Sequence, residues 1–199
     1  MPVLLSLEAL AARLSTLPPS CGPVRLVGVD GYAGSGKSAL AARLAAELGG
    51  APVLHLDDLA SHPALFGWTG RLDRQVLEPL RRGETARYEV YDWNRGAYTS
   101  EALLPAAPVV LVEGVGAGRR ALRPSLACLL WRELPRGEAW RRGRRRDGTA
   151  QAEFWDRWMP AERAHFARDP SRPSANFLVR EGHRTYEVLP GPAGPVYGP

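Results

Sequence analysis

Lysine is almost absent from this sequence of 199 residues. Of the 26 residues that are lysine or arginine, only Lys37 is a lysine. Cysteine is scarce as well, since Cys21 and Cys128 stand far apart, which excludes a closely spaced cysteine metal motif and a disulfide framework. No apolar run approaches the roughly 18 residues that a membrane-spanning helix needs. Together these absences predict a cytoplasmic protein that does not enter a membrane.

The composition is that of an ordinary folded protein, with 45% hydrophobic and 24% charged residues. We therefore expect a single domain over 1–199. The segment 1–20 has no basic leader, and we interpret it as an amphipathic N-terminal helix that ends before Pro18, rather than a signal peptide. The formal net charge of +5 suits an anionic ligand, but it does not distinguish nucleotides from nucleic acid.

The order of hydrophobic patterns alternates between strands and helices. Short apolar runs predict five strands, at 24–30, 52–58, 108–114, 126–131 and 176–179. Helical spacing predicts helices at 38–50 and 71–83, with Pro79 disturbing the last turn of the second, and at 151–169 either a helix pair or one helix kinked at Pro160. Such alternation predicts an α/β fold with a five-stranded parallel sheet and helices on both faces. The Pro- and Gly-rich end, 190–199, predicts an irregular tail.

The single lysine lies in "GYAGSGKS", which matches G-x-x-x-x-G-K-[ST] between a predicted strand and a predicted helix. Glycines let such a loop turn its N–H groups toward phosphate, and the following helix adds the positive end of its dipole. A compact ammonium fits inside the loop, whereas the planar fork of arginine does not. We therefore expect the loop to bind the phosphates of a nucleotide, with Ser38 on Mg²⁺. The residues expected to bind are Gly31, Tyr32, Ala33, Gly34, Ser35, Gly36, Lys37, Ser38 and Ala39.

Acidic residues follow two of the predicted strands. Glu113 ends the strand "VVLVE", at the sheet edge where parallel sheets bind ligands, and its carboxylate would hold Mg²⁺. Asp57 and Asp58 end another strand, and one of them would orient or deprotonate a hydroxyl acceptor near the terminal phosphate. Adjacent residues point in different directions, so only one of the two is expected to face the phosphate.

A run of arginines, "RRGRRRD", occupies residues 141–147, within the segment 135–150 that we expect to form a lid. At helical spacing Arg142 and Arg146 share one face, where they could neutralise charge that develops during phosphoryl transfer. A solvated basic surface is an alternative. Nucleic acid is not expected as a partner, because no nucleic-acid motif or stacking aromatic accompanies the arginines.

Aromatic residues are concentrated in the segment 59–104, which we interpret as the acceptor-binding part of the chain. A flat or sugar-like acceptor would lie against such side chains, and Asp92 and Arg95 could bind its polar groups. The later aromatic residues Phe154, Trp155, Trp158 and Phe166 are predicted to belong to the core. His55, inside an apolar strand, is predicted to be a buried core histidine.

Taken together, GYAGSGKS, LHLDDLA, YEVYDW, VVLVEGV and RRGRRRD resemble the uridine kinase and phosphoribulokinase family of P-loop kinases over roughly 24–180. The resemblance implies a P-loop NTPase three-layer sandwich with a kinase-type lid. It also implies that Asp57 is the catalytic base and that Lys37, Arg142 and Arg146 act in catalysis. The acceptor would contact Asp57, Asp58, Tyr91, Asp92, Trp93 and Arg95, and Ser38 and Glu113 would hold the metal.

The sequence departs from that family where a pyrimidine base would be held. Leu59 and Ala60 replace an aromatic pair, and "YDWNRGAY" lacks the histidine that usually follows the Y-D-[FW] motif. We therefore expect a kinase that transfers the γ-phosphoryl group of ATP to a small hydroxyl compound, with nucleosides first by resemblance. A nucleotide-dependent switch or adaptor with slow hydrolysis is the alternative. Whether the chain forms a homo-oligomer stays open.

Overall fold

The computed structural model describes residues 5–183 and 185–196. Residues 1–4 of the predicted N-terminal helix and residues 197–199 of the predicted tail lie outside that description. Helix α1 covers Leu7–Thr16. Its N-terminal cap is Ser6, whose side chain accepts a hydrogen bond from the backbone N–H of Ala9. The helix ends at Thr16, just before the predicted limit at Pro18.

A six-stranded sheet forms the centre of the fold, in the order β2-β5-β1-β6-β7-β8. The first five strands in this order are parallel, and β8 pairs with β7 in the antiparallel direction. The strands are β1 (Arg25–Asp30), β2 (Val53–His55), β5 (Val109–Glu113), β6 (Cys128–Arg132), β7 (Phe177–Glu181) and β8 (Tyr186–Pro190). The predicted parallel five-stranded sheet is confirmed, and β8 extends it into the region just before the predicted tail.

Helices cover both faces of the sheet. On one face, α1 and α2 (Lys37–Glu47) bury leucines against alternate residues of the strands, including Val27 and Leu111. On the other face, Leu26 and Val112 pack against residues of the segment 68–88. This alternation follows from strand geometry, since successive side chains point to opposite faces. The result is the three-layer α/β arrangement that the sequence predicted.

The segment predicted as one helix at 71–83 is divided by a wider turn. Helix α3 (Thr69–Leu72) continues through a π-helical turn (Asp73–Leu77) into α4 (Glu78–Arg81). Pro79 has no N–H to donate to a carbonyl of the preceding turn, and a π-helical turn is one way to accommodate that loss.

The last two helices flank the edge of the sheet at which the strands end. Helix α5 (Arg136–Asp147) contains the arginine run. Helix α6 (Ala152–Arg168) is a single helix that continues through Pro160. In the described part of the chain, no helix combines the length and the apolar character that crossing a bilayer would require.

A separate antiparallel hairpin, β3 (Ala86–Asp92) and β4 (Ala97–Leu104), lies within the predicted acceptor segment. Three of its side chains reach the turn that follows β2: Tyr88 and Tyr98 through their hydroxyl groups, and Trp93, in the turn of the hairpin, through its Nε1. The hairpin thereby supports the segment that carries Asp57 and Asp58.

Candidate active site

One cavity of about 810 Å³ lies at the carboxyl ends of β1, β2 and β5. Its wall includes residues of the glycine-rich loop between β1 and α2, namely Ala33, Gly34, Gly36, Lys37, Ser38 and Ala39. Gly36 precedes α2 with φ +94°, a left-handed conformation that glycine adopts without strain. Lys37 is nearly buried, and its Nζ donates a hydrogen bond to the carbonyl oxygen of Tyr32 at 3.0 Å.

Three of the nine predicted nucleotide-binding residues do not line the cavity. Tyr32 packs edge-on against Trp131 and Phe166, with ring centroids 5.2 and 5.3 Å apart. Gly31 and Ser35 are buried beneath the loop, where the carbonyl oxygen of Arg132 would lie 3.0 Å from a Cβ on Gly31. These three residues pack on the side of the loop that is away from the cavity, while the other six residues line the cavity.

Asp30, just before the loop, is a positioning residue that sequence reasoning missed. Its buried carboxylate accepts hydrogen bonds from the backbone N–H groups of Gly31 at 2.7 Å, Gly116 at 2.9 Å and Gly118 at 2.9 Å. Burial raises the pKa of Asp30, and the hydrogen bonds to its oxygens oppose that rise. Asp30 therefore joins the glycine-rich loop to the loop that follows Glu113.

The two predicted metal ligands are adjacent. The Ser38 hydroxyl donates to Glu113 Oε1 at 3.0 Å, and both residues line the cavity. A hydroxyl and a carboxylate are hard oxygen donors of the kind that Mg²⁺ prefers, so this pair fits the expected ion. Burial acts to raise the pKa of Glu113, but the hydrogen bond from His55 and the charges of Lys37 and His55 outweigh it and lower the pKa.

The prediction for His55 was wrong. Its side chain is 48% exposed rather than buried, and Nδ1 lies 2.6 Å from Glu113 Oε1. This hydrogen bond is the main cause of a raised pKa at His55. The error arose because β2 ends at His55, so that its side chain stands at the edge of the sheet beside the carboxylate. His55 orients the predicted metal ligand.

The neighbouring acids Asp57 and Asp58 point in different directions, as expected. Asp57 lines the cavity and is accessible to water there, although the cavity walls surround it. Desolvation by these walls and the negative charge of Glu113 raise the pKa of Asp57, and the charge of Lys37 opposes them. Asp58 instead accepts a hydrogen bond from the hydroxyl group of Tyr88 at 3.3 Å. Of the two, Asp57 is therefore the candidate base.

The arginine helix α5 places Arg142 and Arg146 on the cavity wall. Arg142 Nη1 lies 3.3 Å from Glu181 Oε2, and Arg146 forms a two-point ion pair with Asp147. Asp147 in turn accepts a hydrogen bond from Trp155 Nε1 at 3.0 Å, which anchors the pair to α6. The remaining arginines of the run, Arg141, Arg144 and Arg145, are exposed outside the cavity.

The predicted acceptor residues divide into two groups. Trp93 lines the cavity, and its Nε1 donates to the carbonyl oxygen of Asp57 at 3.1 Å. Tyr91, Asp92 and Arg95 do not line it. Tyr91 is buried behind the wall, Asp92 accepts hydrogen bonds from N–H groups of its own turn, and Arg95 is 74% exposed. Asp92 and Arg95 thus belong to the turn of the hairpin, whereas Tyr91 contacts His62, which does line the cavity.

An aromatic wall completes the cavity, formed by His62, Trp93, Phe154 and Trp158. Their rings contact one another in this order, with centroid distances of 4.9, 5.8 and 5.6 Å. Trp158 belongs to a buried hydrophobic cluster and Phe154 packs against it, as predicted, and both residues also line the cavity. His62 was missed, since it lies in a loop without a periodic pattern. Its Nδ1 lies 2.8 Å from the Tyr91 hydroxyl.

The site was compared with known proteins. A possible uridine kinase from Bacillus stearothermophilus superposes with a TM-score of 0.62 and 17% identity, covering 86% of this chain and 96% of that one. A candidate fructose transport system kinase from Silicibacter sp. TM1040 superposes with a TM-score of 0.52 and 26% identity, covering 71% of this chain and 81% of that one.

No family model and no curated protein sequence matches the chain. The resemblance is therefore structural. It establishes a mixed α/β fold with a mostly parallel central sheet flanked by helices.

Proposed function

We propose that this protein is a kinase that transfers the γ-phosphoryl group of ATP to the hydroxyl group of a small, uncharged acceptor. The observation that carries the proposal is the shared cavity, whose wall includes Lys37, the Ser38–Glu113 pair, Asp57 and two lid arginines. Phosphoryl transfer requires a phosphate cradle, a metal site, a base and charge neutralisation in one enclosed place. The kinase-like neighbours support the same reaction class.

At the donor end, the loop amides and Lys37 would hold the β- and γ-phosphates of ATP. Ser38 and Glu113 would hold Mg²⁺, which neutralises phosphate charge when it is bound. Arg142 and Arg146 face the same space from α5 and would stabilise the charge that develops on the transferred group.

At the acceptor end, Asp57 accepts the proton of the attacking hydroxyl group. The acceptor oxygen forms a bond to the γ-phosphorus as the bond from that phosphorus to the β–γ bridging oxygen breaks, so that ADP leaves with its electron pair. A general base works best when its pKa lies near the working pH, and the raised pKa of Asp57 moves it in that direction.

The charge distribution of the cavity indicates the kind of acceptor. Among the described lining residues, the charged ones belong to the loop, the acids and α5, whereas the aromatic wall contains no lysine or arginine and adjoins the uncharged Asn94 and Gln151. A phosphorylated acceptor would need cations on this side. A neutral compound with a flat or apolar face and a free hydroxyl group fits better, and a nucleoside is the first candidate.

The proposal is tested by incubating the protein with ATP·Mg²⁺ and a panel of hydroxyl compounds, with ADP release as the readout. The panel pairs each nucleoside and sugar with its monophosphate. We expect acceptor-dependent ADP release with at least one neutral compound and much less with its phosphorylated counterpart. ADP release that no small molecule stimulates would contradict the proposal, and stimulation by a protein partner alone would favour a nucleotide-dependent switch.

A further inference from the structure

A fully buried carboxylate connects the glycine-rich loop to both helices beside it. Glu162 lies on α6 and has no exposed surface. Its Oε1 accepts a hydrogen bond from the backbone N–H of Ala33 at 2.6 Å, and its Oε2 accepts one from Nε1 of Trp140 on α5. One side chain thus contacts the loop, α5 and α6 at the same point.

The contact with Glu162 fixes the first half of the glycine-rich loop at Ala33. The N–H group of Ala33 is directed at Glu162, so it does not point at a phosphate in the cavity. The next residue, Gly34, packs so closely against α5 that an added Cβ would lie 2.1 Å from the carbonyl oxygen of Ala139. The loop is therefore held between a carboxylate on one helix and the backbone of the other.

The contact with Trp140 fixes α5 relative to the same point. Trp140 is nearly buried, and the guanidinium groups of Arg136 and Arg163 lie over its ring, 5.2 and 5.6 Å from the centroid. Trp140 and Arg142 belong to the same helix, two residues apart. A change at the indole N–H would therefore alter where the cavity-lining arginines of α5 stand.

A purely structural role does not require a carboxylate here. Burying an ionisable group is costly, and a hydrophobic side chain of similar size would fill the space without that cost. Burial raises the pKa of Glu162, and the hydrogen bonds from two different elements oppose that rise while they fix the geometry. The charge of Lys37 opposes the rise as well.

We propose that Glu162 is a positioning residue that holds the glycine-rich loop and the arginine helix α5 in fixed positions relative to each other. The Ala33 contact determines how tightly nucleotide binds, and the Trp140 contact determines how fast the phosphoryl group is transferred. This inference rests on the proposed function, because it assigns the two contacts to two steps of that reaction.

The two contacts can be removed separately. Glu162→Met keeps the length of the side chain and removes both acceptors, so we expect it to weaken binding of Mg²⁺ and the β,γ-imido analogue of ATP by about tenfold or more. Trp140→Phe keeps an aromatic ring near the two arginines and removes the indole N–H together with one ring of the indole. It should leave this affinity within about twofold of wild type and lower kcat about tenfold.

Two further variants complete the test. Glu162→Gln retains an oxygen that accepts the Ala33 N–H, but it places an NH₂ group, which cannot accept a hydrogen bond, beside the indole N–H. It should therefore behave like Trp140→Phe. It also replaces Glu162→Met in the test if that variant fails to fold. Glu153→Met makes the same change at an exposed position of α6 and should match wild type. Affinity is measured by calorimetry, and kcat by ADP release with the best acceptor.

The outcomes separate the two proposals. If wild type does not bind the nucleotide analogue, the proposed function fails and the inference fails with it. If wild type binds and Glu162→Met binds equally well, the inference alone is overturned. It is also overturned if Glu162→Gln and Trp140→Phe lose affinity as strongly as Glu162→Met, because the contacts would then have no separate effects. Hydrogen exchange at Ala33, faster in Glu162→Met and unchanged in Trp140→Phe, is the expected direct signature.

Discussion

At the scale of single residues, most of the charged side chains that face the cavity are held in place by a hydrogen bond or ion pair with a neighbouring residue. The carbonyl oxygen of Tyr32 holds Lys37, His55 and Ser38 hold Glu113, and Asp147 holds Arg146. Such support keeps a charged group in place before a ligand arrives, which lowers the reorganisation that reaction requires. The single lysine of the chain is thus retained at an almost buried position inside the loop, where a bulkier planar cation would not fit.

The pair of adjacent acids offers a matched test at this scale. Asp57→Asn removes the candidate base, so we expect acceptor-dependent ADP release to fall by roughly 10²- to 10⁴-fold while the affinity for Mg·ATP stays near that of wild type. Asp58→Asn makes the same change in the side chain that faces Tyr88, and it should retain most of the activity. Equal losses in the two variants would refute the assignment of the base.

At the scale of elements, α5 and the glycine-rich loop touch through two glycines. A Cβ on Gly143 would lie 2.4 Å from the ring of the buried Trp155, and the Cα of Gly34 would be 3.3 Å away. The arginine helix can approach the phosphate position only because neither glycine has a side chain at this contact. Packing between these elements therefore determines where the arginines stand.

Two glycines of α5 allow a matched test of this contact, because one is tightly packed and the other is not. Gly143→Ala should lower the free energy of unfolding by about 1–3 kcal/mol through overpacking and should also lower kcat, because α5 must move away from the loop. Gly137→Ala adds the same methyl group where nothing lies within 4 Å, so stability should be unchanged or slightly higher. Chemical denaturation measures the difference. A stable, fully active Gly143→Ala variant would show that the helix is not packed as described.

Elements with a strong local pattern could be predicted from the sequence, and elements without one could not. The run "VRLVGVD" and the motif after it predicted β1 and the glycine-rich loop correctly, because an apolar run and glycine spacing are local signals. The hairpin of β3 and β4 was not predicted, since several of its residues are exposed and its apolar residues do not alternate cleanly. His62, Asp30 and Glu162 were missed because each has a hydrogen-bond partner far away along the chain, at separations of 29, 86 and 129 residues respectively.

At the scale of the whole molecule, acid should destabilise the fold through His165. This side chain is nearly buried on α6, stacked on Phe66 with ring centroids 4.5 Å apart, and no described residue bonds to its Nε2. Burial and the charge of Arg119 lower its pKa from 6.5 to about 4. The unfolded chain therefore binds a proton between these values that the folded protein does not bind, so acidification favours unfolding.

The expected loss begins as the pH falls through 6.5 and is complete near 4, reaching about 3 kcal/mol for this group. His165→Gln removes the titration, so its unfolding free energy should depend less steeply on pH over this window than that of wild type. His183→Gln, at an exposed histidine, should leave the slope unchanged. Denaturation curves at pH 4 to 7 measure the slopes. Identical slopes for wild type and His165→Gln would contradict the description of α6.

The most direct test of the central claim is a crystal structure with Mg²⁺ and the β,γ-imido analogue of ATP. We expect the γ-phosphate to lie against Lys37, the metal to lie between the phosphates and the Ser38–Glu113 pair, and Asp57 to face the γ-phosphate across the space beside the aromatic wall. An analogue bound outside this cavity, or a γ-phosphate from which Asp57 is turned away with no room for a hydroxyl compound between them, would contradict the claim.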